Sequence, residues 1–168
     1  YGLEAAGNDV TMPDLARLCD VFYIGVTKVG ALFGEAVVIR NLAINEDFRY
    51  LIKQRGGMLA KGRLLGLQFD TLFTDDLYFR VARHADRLAD QIRGCLRELN
   101  VPLLVESTTN QIFPILPDGV LEQLAREFTF TEQERVDEGH RAIRFCTSWA
   151  TTQENTDALC DTLRQLCS

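Results

Sequence analysis

The chain has 168 residues, of which 46% are apolar and 25% are charged, and its formal net charge is −6. This length and apolar content suit one globular domain, or one domain plus part of another, and exclude intrinsic disorder. The acidic excess argues against general nucleic-acid binding, and no apolar run reaches the roughly 20 residues that span a bilayer.

The N-terminal part of the chain predicts a short helix followed by two strands. Residues 9–18 are typical of a loop and a short helix, because Thr11 can cap the first turn and Pro13 fits within it. Two short apolar runs follow, at residues 21–25 and 35–40. Because both runs are apolar on both faces, they predict buried strands in a sheet that helices cover on each side.

The middle of the chain is predicted to be helical. Apolar residues recur at helical spacing at 46–53, at 58–73 and at 77–100. The acidic pair Asp75-Asp76 precedes the long third segment and Arg97 lies near its end, which is the charge arrangement that a helix dipole favours. The length of this segment predicts a helix that connects two domains.

The last third of the chain predicts a small α+β unit. Strands are predicted at 103–105, 111–115, 128–131 and 142–149, and helices at 118–128 and 153–166. Asp118 is the predicted cap of the first of these helices. This order of elements favours an antiparallel sheet packed against helices. We therefore predict an α/β protein in which 1–76 belong to a large domain, 77–100 connect, and 101–168 form a small α+β domain.

The cysteines and histidines show no metal-binding pattern. The chain has five cysteines and two histidines, at Cys19, Cys95, Cys146, Cys160, Cys167, His84 and His140. An odd number of cysteines without CxxC spacing argues against a zinc site and against a full disulfide framework. Buried, reduced thiols in a cytoplasmic protein are the simpler interpretation. We expect no metal site.

Lys28 is the first candidate functional residue, because it lies in a glycine-rich segment between the two predicted strands. Lysine is rarely buried without a function, and a low-dielectric site lowers the pKa of its amine. A neutral amine is what Schiff-base formation with a carbonyl requires, and nearby glycines let a flat cofactor approach the backbone. Taken alone, the pattern favours the alternative of a loop lysine whose amine reaches solvent.

Arg144 is the second candidate. It lies in a predicted strand where it alternates with the apolar residues Ile143 and Phe145. The planar guanidinium suits bidentate binding of a carboxylate. An exposed strand arginine without a ligand explains the pattern equally well.

Four segments carry a resemblance to a known family. They are residues 20–35 (DVFYIGVTKVGALFGE), 56–62 (GGMLAKG), 109–113 (TNQIF) and 143–147 (IRFCT). In this order, over nearly the whole chain, they resemble the threonine aldolases, which are pyridoxal-phosphate enzymes of the aspartate-aminotransferase fold type. The resemblance implies part of a large domain with a mainly parallel sheet covered by helices on both faces, followed by a small α+β domain.

The resemblance implies a role for each matched residue. Lys28 would form the Schiff base with pyridoxal 5′-phosphate, and the adjacent Thr27 would form a hydrogen bond to the cofactor. Lys61 or Arg55 would place positive charge near the cofactor phosphate. Arg144 would hold the carboxylate of the amino-acid substrate.

The resemblance also implies an activity and a setting. The activity would be cleavage of the Cα–Cβ bond of L-threonine or L-allo-threonine, a small β-hydroxy amino acid, to glycine and acetaldehyde. The enzyme would be a cytoplasmic homodimer or homotetramer without nucleic-acid or membrane partners. Family chains carry further active-site residues upstream of the segment that resembles Tyr1 to Leu3. We therefore expect this chain to be the C-terminal half of the enzyme and to be inactive or badly impaired alone.

Three alternatives stay open on the sequence. Another pyridoxal-phosphate lyase of this fold, β-eliminating and tryptophanase-like, would use Lys28 and Arg144 equally well, and would release pyruvate and ammonia instead of an aldehyde. A non-catalytic, oligomer-forming domain derived from such an enzyme would bind no cofactor. A soluble α/β protein with a fortuitous match would show neither property.

Overall fold

The structure is a computed structural model that describes residues 1–167. The chain divides into two compact units. The first unit combines Tyr1–Asn8 with the chain from Val81 onward, and the second unit is Asp9–Arg80. Among the helices of the described residues, none is long and apolar enough to cross a membrane.

The second unit begins with helix α1, Met12–Leu18, which starts as predicted at Thr11. The Thr11 side chain accepts a hydrogen bond from the Asp14 backbone N–H, and the Asp14 carboxylate accepts one from the Thr11 backbone N–H, at 2.8 Å. This reciprocal pair satisfies two backbone donors that a helix start otherwise leaves unpaired.

Strands β1, Val21–Gly25, and β2, Glu35–Ile39, form an antiparallel pair in which Val21 lies opposite Ile39. The expectation that both strands are buried on both faces is wrong for this chain. Exposed and half-buried residues alternate along β1, and Tyr23 is 73% exposed. Both faces of this two-stranded ribbon are apolar, which explains the apolar runs. The described residues cover one of the two faces, and only partly.

Two helices follow in the second unit. Helix α2 is Phe48–Gln54, close to the prediction, and helix α3 is Arg63–Phe73. The predicted start of α3 at residue 58 is wrong by five residues. The segment before Arg63 contains Gly56, Gly57 and Gly62 and forms turns, because glycine disfavours the helical state.

Helix α4, Leu77–Glu98, is the long helix that the sequence predicts, and it ends two residues before the predicted boundary. A short 3-10 turn with a positive φ at Asp75 precedes it. Asn100 adopts a positive φ after its end, and the Val101 N–H donates to the Leu96 carbonyl at 2.9 Å. This is a common way for a helix to stop.

The first unit contains an antiparallel sheet built around one central strand. Its elements are β3 (Gln111–Ile112), β4 (Ile115–Pro117), α5 (Asp118–Leu124), β5 (Thr131–Arg135), β6 (His140–Cys146) and α6 (Gln153–Leu166). Strand β6 pairs with β3, β4 and β5, antiparallel in each case. An α+β arrangement with an antiparallel sheet is therefore present within the first unit.

The core of the first unit lies between this sheet and helices α4, α5 and α6. Its buried members include Leu96 from α4, Leu121 from α5, Ile143 and Phe145 from β6, and Leu163 from α6. Phe130 packs against it in an edge-to-face contact with Phe145, with the ring centroids 6.2 Å apart. Alternate residues of β6 thus face this core.

Several local predictions in the first unit are wrong. The helix predicted at 118–128 ends at Leu124, and the strand predicted at 142–149 is His140–Cys146. Residues 103–105 form only an isolated bridge, between Leu103 and Pro114. Strand β5 begins at Thr131, where the predicted strand at 128–131 ends. Asp118 does not cap α5, whose capping position is Pro117, because its carboxylate instead accepts a hydrogen bond from Arg141 Nε at 2.6 Å.

Candidate functional site

Lys28 lies on a 3-10 turn, Thr27–Val29, that follows β1. Val26 and Val29 are 0% and 6% exposed, whereas Thr27 and Lys28 are exposed. Positions three apart on a 3-10 turn lie on the same side, so the two valines can face inward together. The turn therefore presents Thr27 and Lys28 at the surface of the second unit. Within the described residues, Lys28 does not lie in the buried, low-dielectric position that its sequence context suggested.

The backbone before Lys28 is fixed by Tyr78, from the first turn of α4. The Tyr78 hydroxyl donates a hydrogen bond to the Gly25 carbonyl at 3.0 Å. The Tyr78 ring stacks on Phe73 with centroids 4.9 Å apart and an interplanar angle of 15°. Burial raises the pKa of the Tyr78 phenol, so it stays protonated and able to donate.

The backbone after Lys28 is fixed by Gln68, in the middle of α3. Gln68 Oε1 accepts hydrogen bonds from the backbone N–H groups of Leu32, at 2.7 Å, and Phe33, at 3.4 Å. Gln68 Nε2 in turn donates to the Leu64 carbonyl at 3.1 Å. These contacts hold the glycine-rich segment against α3.

The other residues assigned toward the cofactor also lie in the second unit and are exposed. Arg55 closes the C-terminal end of α2, and Lys61 lies in the turn before α3. Thr27 is adjacent to Lys28 on the 3-10 turn. Each is placed on a turn next to a helix or strand end, where a side chain is accessible to a ligand.

Arg144 lies in β6 of the first unit and is half-buried. Its Nη1 donates a long hydrogen bond of 3.4 Å to Gln111 Oε1. Its Nε is buried and has no hydrogen-bond partner within residues 1–167. A buried guanidinium N–H without an acceptor is costly, and a carboxylate is the ligand that best satisfies it.

The backbone beside Arg144 is supported by a second arginine. Arg93 of α4 is 2% exposed and donates from Nη1 to the Thr109 carbonyl at 2.8 Å. Its Nη2 donates to Asp90 Oδ1 at 2.6 Å. Asn110, next in the chain, donates from Nδ2 to the Thr147 carbonyl at 2.8 Å. These bonds connect α4 to the segment that leads into β3 and hence to Gln111.

Sequence reasoning missed Gln68, Tyr78, Gln111 and Arg93. Gln68 left one signal, because it is a polar side chain within the apolar stretch Leu64 to Phe73 of α3. The others left none, since a tyrosine or an arginine in an amphipathic helix, or a glutamine in a strand, is ordinary. Gln68, Tyr78 and Arg93 bind backbone groups distant in sequence. Gln111 accepts from the Arg144 side chain, 33 residues away, and a pattern of residue types identifies neither kind of partner.

The cysteines differ in their surroundings. None of the five forms a disulfide in the described part of the chain. Cys95 and Cys160 are buried as expected, and burial raises the pKa of the Cys160 thiol to about 12. The expectation of burial is wrong for Cys146, which is exposed at the end of β6 because it faces away from the core that Phe145 enters.

Two curated relatives of this chain share one description. No family model matches the sequence. A low specificity L-threonine aldolase of Pseudomonas aeruginosa is 31% identical over 150 residues, which are 86% of this chain and 41% of that protein. A protein of the same description from a Pseudomonas species is 30% identical over 89% of this chain and 42% of its own length. The chain thus spans less than half of the curated relatives that it matches.

Solved structures agree with these relatives. A Leishmania major threonine aldolase superposes with a TM-score of 0.96 and 40% identity, over 99% of this chain and 48% of that chain. The serine palmitoyltransferase of Sphingomonas wittichii, with a TM-score of 0.59 and 14% identity, covers 88% of this chain and shares the fold alone. So does a structure of SPT with a PLP internal aldimine, with a TM-score of 0.54 and 16% identity.

These comparisons confirm two predictions from the sequence, the α/β fold class of the pyridoxal-phosphate enzymes and the family resemblance. The agreement extends over nearly all of the chain in sequence and in structure. The chain therefore corresponds, in sequence and in structure, to the C-terminal part of threonine aldolases.

Proposed function

We propose that the protein containing this chain is a pyridoxal-phosphate-dependent lyase that cleaves L-threonine or L-allo-threonine to glycine and acetaldehyde. The observation that carries the proposal is the TM-score of 0.96 with 40% identity to a threonine aldolase, over 99% of the chain. The alternative activities have no comparable support.

The Lys28 turn fits the cofactor in its chemistry. Lys28 is exposed, and Gly30, which has a φ of 105°, leaves the neighbouring surface without a Cβ. In the proposal, Lys28 holds the cofactor covalently and the Thr27 hydroxyl forms a hydrogen bond to it. Lys61 or Arg55 supplies positive charge for the cofactor phosphate, whose dianion needs such a partner.

Arg144 is proposed to bind and orient the substrate. Its buried Nε and its Nη atoms offer a planar pair of donors, and an amino-acid carboxylate would satisfy the N–H that the described residues leave unpaired. Holding the carboxylate fixes which bond at Cα is aligned for cleavage. A small β-hydroxy amino acid is the substrate class.

Bound pyridoxal phosphate supplies an electron-withdrawing ring that takes up the negative charge developing at Cα. In the reaction the β-hydroxyl loses its proton, the Cα–Cβ bond breaks and acetaldehyde leaves. Cα then gains a proton to give glycine. In the proposal, Lys28 would hold or release a proton near Cα, and Arg144 would keep the carboxylate in place throughout.

Reductive trapping tests the assignment of Lys28. The chain has three lysines, Lys28, Lys53 and Lys61, and all three are exposed. The full chain is mixed with pyridoxal phosphate, reduced with borohydride, digested, and the pyridoxyl-lysine located by mass spectrometry. We expect the adduct at Lys28, and we expect the Lys28→Ala variant to lose it while the matched Lys53→Ala variant keeps it.

Equal labelling of the three lysines would contradict the assignment. If Lys28 stays unlabelled, the same experiment on a longer chain that includes the part matching the rest of the relatives decides the matter. Absence of label there would favour the non-catalytic alternative. With the longer chain, release of acetaldehyde from threonine supports the aldolase, and release of pyruvate with ammonia supports a β-eliminating lyase.

The remaining expectations about the whole protein are also proposals. We propose that residues 1–76 belong to the large cofactor-binding domain, that 77–100 connect, and that 101–168 form the small domain. A homodimer or homotetramer is supported by the exposed apolar side chains of the second unit, such as Leu32 at 84%, Leu42 at 78% and Tyr50 at 74%. A cytoplasmic location is supported by the five unpaired cysteines.

A further inference from the structure

We propose that Gln68 and Tyr78 are positioning residues that fix the backbone on either side of Lys28 and so set the position of its amine. The inference rests on the proposed function, in which Lys28 holds the cofactor. The side chains of both residues contact the segment that carries Lys28, and both form hydrogen bonds to backbone atoms of that segment. Their action is therefore independent of the side chains around the lysine.

The segment after Lys28 needs an acceptor from outside itself. Within the turn, the N–H groups of Val29 and Ala31 both donate to the Val26 carbonyl at 3.1 Å. The ladder between the two strands resumes only at Glu35, opposite Gly25. Leu32 and Phe33 lie between these two sets of bonds, and Gln68 Oε1 supplies the acceptor for both of their N–H groups.

A second observation places the same segment against α3. Gly34 has a φ of 107°, and a Cβ built on it would overlap the Leu65 side chain, one helical turn before Gln68. The close approach at Gly34 and the hydrogen bonds at Leu32 and Phe33 both hold this segment against α3. The segment between Lys28 and β2 is thus seated on one face of α3.

The segment before Lys28 is held at the last residue of β1. The Tyr78 hydroxyl bonds the Gly25 carbonyl, and stacking on Phe73 fixes where that hydroxyl lies. Two residues, Val26 and Thr27, separate Gly25 from Lys28, and Val26 is fully buried. With both flanks and the buried valines fixed, the remaining freedom of the Lys28 amine is that of its own side chain.

Substitutions can remove each contact with little change of shape. Gln68→Met keeps the length of the side chain and removes the acceptor, whereas Gln68→Glu keeps an oxygen acceptor. Tyr78→Phe keeps the stacked ring and removes the donor. The matched controls are Gln123→Met, since Gln123 makes the same bond to the carbonyl four residues earlier in α5, and Tyr50→Phe at an exposed tyrosine.

The first readout is the rate of borohydride-trapped labelling at Lys28, relative to Lys53 and Lys61 in the same sample. We expect Gln68→Met to lower this ratio by about fivefold to tenfold and Tyr78→Phe by about threefold to fivefold, as the loss of one or two hydrogen bonds predicts. We expect Gln68→Glu to restore it and both controls to leave it unchanged.

The second readout needs no cofactor. Amide hydrogen exchange at Leu32 and Phe33, followed by NMR, should accelerate by about tenfold in Gln68→Met and return to the original rate in Gln68→Glu. Faster exchange with unchanged labelling at Lys28 would overturn the positioning role. So would a Gln68→Glu variant that labels as slowly as Gln68→Met. If the unaltered chain and its longer form never label Lys28, the proposed function fails and this inference fails with it, whatever the exchange rates show.

Discussion

At the scale of single residues, Asp86 is the most unusual group in the first unit. It lies in α4 and is 4% exposed, and within residues 1–167 neither carboxylate oxygen has a hydrogen-bond partner. Burial raises its pKa from 3.8 to about 6, against the opposing positive charge of Arg93. At neutral pH the side chain is thus a buried charge without donors, which costs stability.

Replacing this carboxyl should stabilise the protein in a pH-dependent way. The folded state holds the proton more tightly than the unfolded state, so the contribution of Asp86 to stability falls as the pH rises through about 4 to 6. We expect Asp86→Asn to raise the free energy of unfolding by about 1–3 kcal/mol at pH 8 and to change it little at pH 4. Urea unfolding at both pH values measures this.

The control for that experiment is Asp70→Asn, at an exposed aspartate of α3. It should change the free energy of unfolding little at either pH. An Asp86→Asn variant that is less stable than the unaltered chain at pH 8 would show that the carboxylate is satisfied in solution, and would contradict the prediction.

At the scale of elements, the packing of the Lys28 segment on α3 depends on a residue without a side chain. Gly34 combines a positive φ with the close approach to Leu65. We expect Gly34→Ala to lower the free energy of unfolding by about 1–3 kcal/mol, because alanine is strained at this φ and its Cβ overlaps a neighbour. Chemical denaturation provides the measurement.

Two further variants separate the causes of that loss. In the double variant Gly34→Ala/Leu65→Ala the overlap is relieved and the backbone strain remains. Measured against Leu65→Ala alone, Gly34→Ala should therefore lower the free energy of unfolding by less than it does in the unaltered chain. Gly66→Ala, inside α3 with open space around it, should stabilise the helix by about 0.5–1 kcal/mol. If Gly34→Ala were as benign as Gly66→Ala, the seating of the segment on α3 would be wrong.

The elements that could be predicted from the sequence are those with a local signal. Helix α1 starts at its capping Thr11, and α6 starts after Thr152, whose side chain accepts from the Asn155 N–H. Strand β5 has no such signal, because all its residues are polar and exposed. The apolar Phe128 and Phe130 misled the prediction, since they pack on the core from the chain before the strand.

The candidate site divides in the same way. Lys28 and Arg144 could be proposed from sequence because their residue types and flanking motifs resemble those of a family. The sequence could not predict that Lys28 is exposed or that Arg144 Nε has no acceptor among the described residues. Both properties depend on which other segments pack nearby. Gln68 and Tyr78 act on backbone atoms 36 and 53 residues away, which no local pattern encodes.

At the scale of the whole molecule, buried apolar residues are distributed unevenly. In residues 9–80 the buried apolar side chains are Val26, Val29 and Leu72, whereas the first unit has a continuous core. Most of the large apolar side chains that are exposed, among them Leu18, lie in residues 9–80. Local stability depends on buried contacts, so the two units should differ in it.

Hydrogen exchange of the unaltered chain should show this difference. We expect backbone amides of β6, and of α4 between Leu88 and Leu96, to exchange roughly 100-fold or more slowly than those of β1 and β2. NMR or mass spectrometry of the full chain provides the rates. Equal protection in the two units would mean that the second unit has a stabilising contribution that its few buried residues do not reveal.

The alternation on the Lys28 turn has an evolutionary consequence. Val26 and Val29 face inward and Lys28 lies at the surface, so we expect the fold to depend more on the valines than on the lysine. A gene copy released from selection for catalysis could lose Lys28 by drift and still encode a chain that folds, whereas loss of Val26 would be removed together with the fold. The fold can in this way be inherited without the lysine proposed for catalysis.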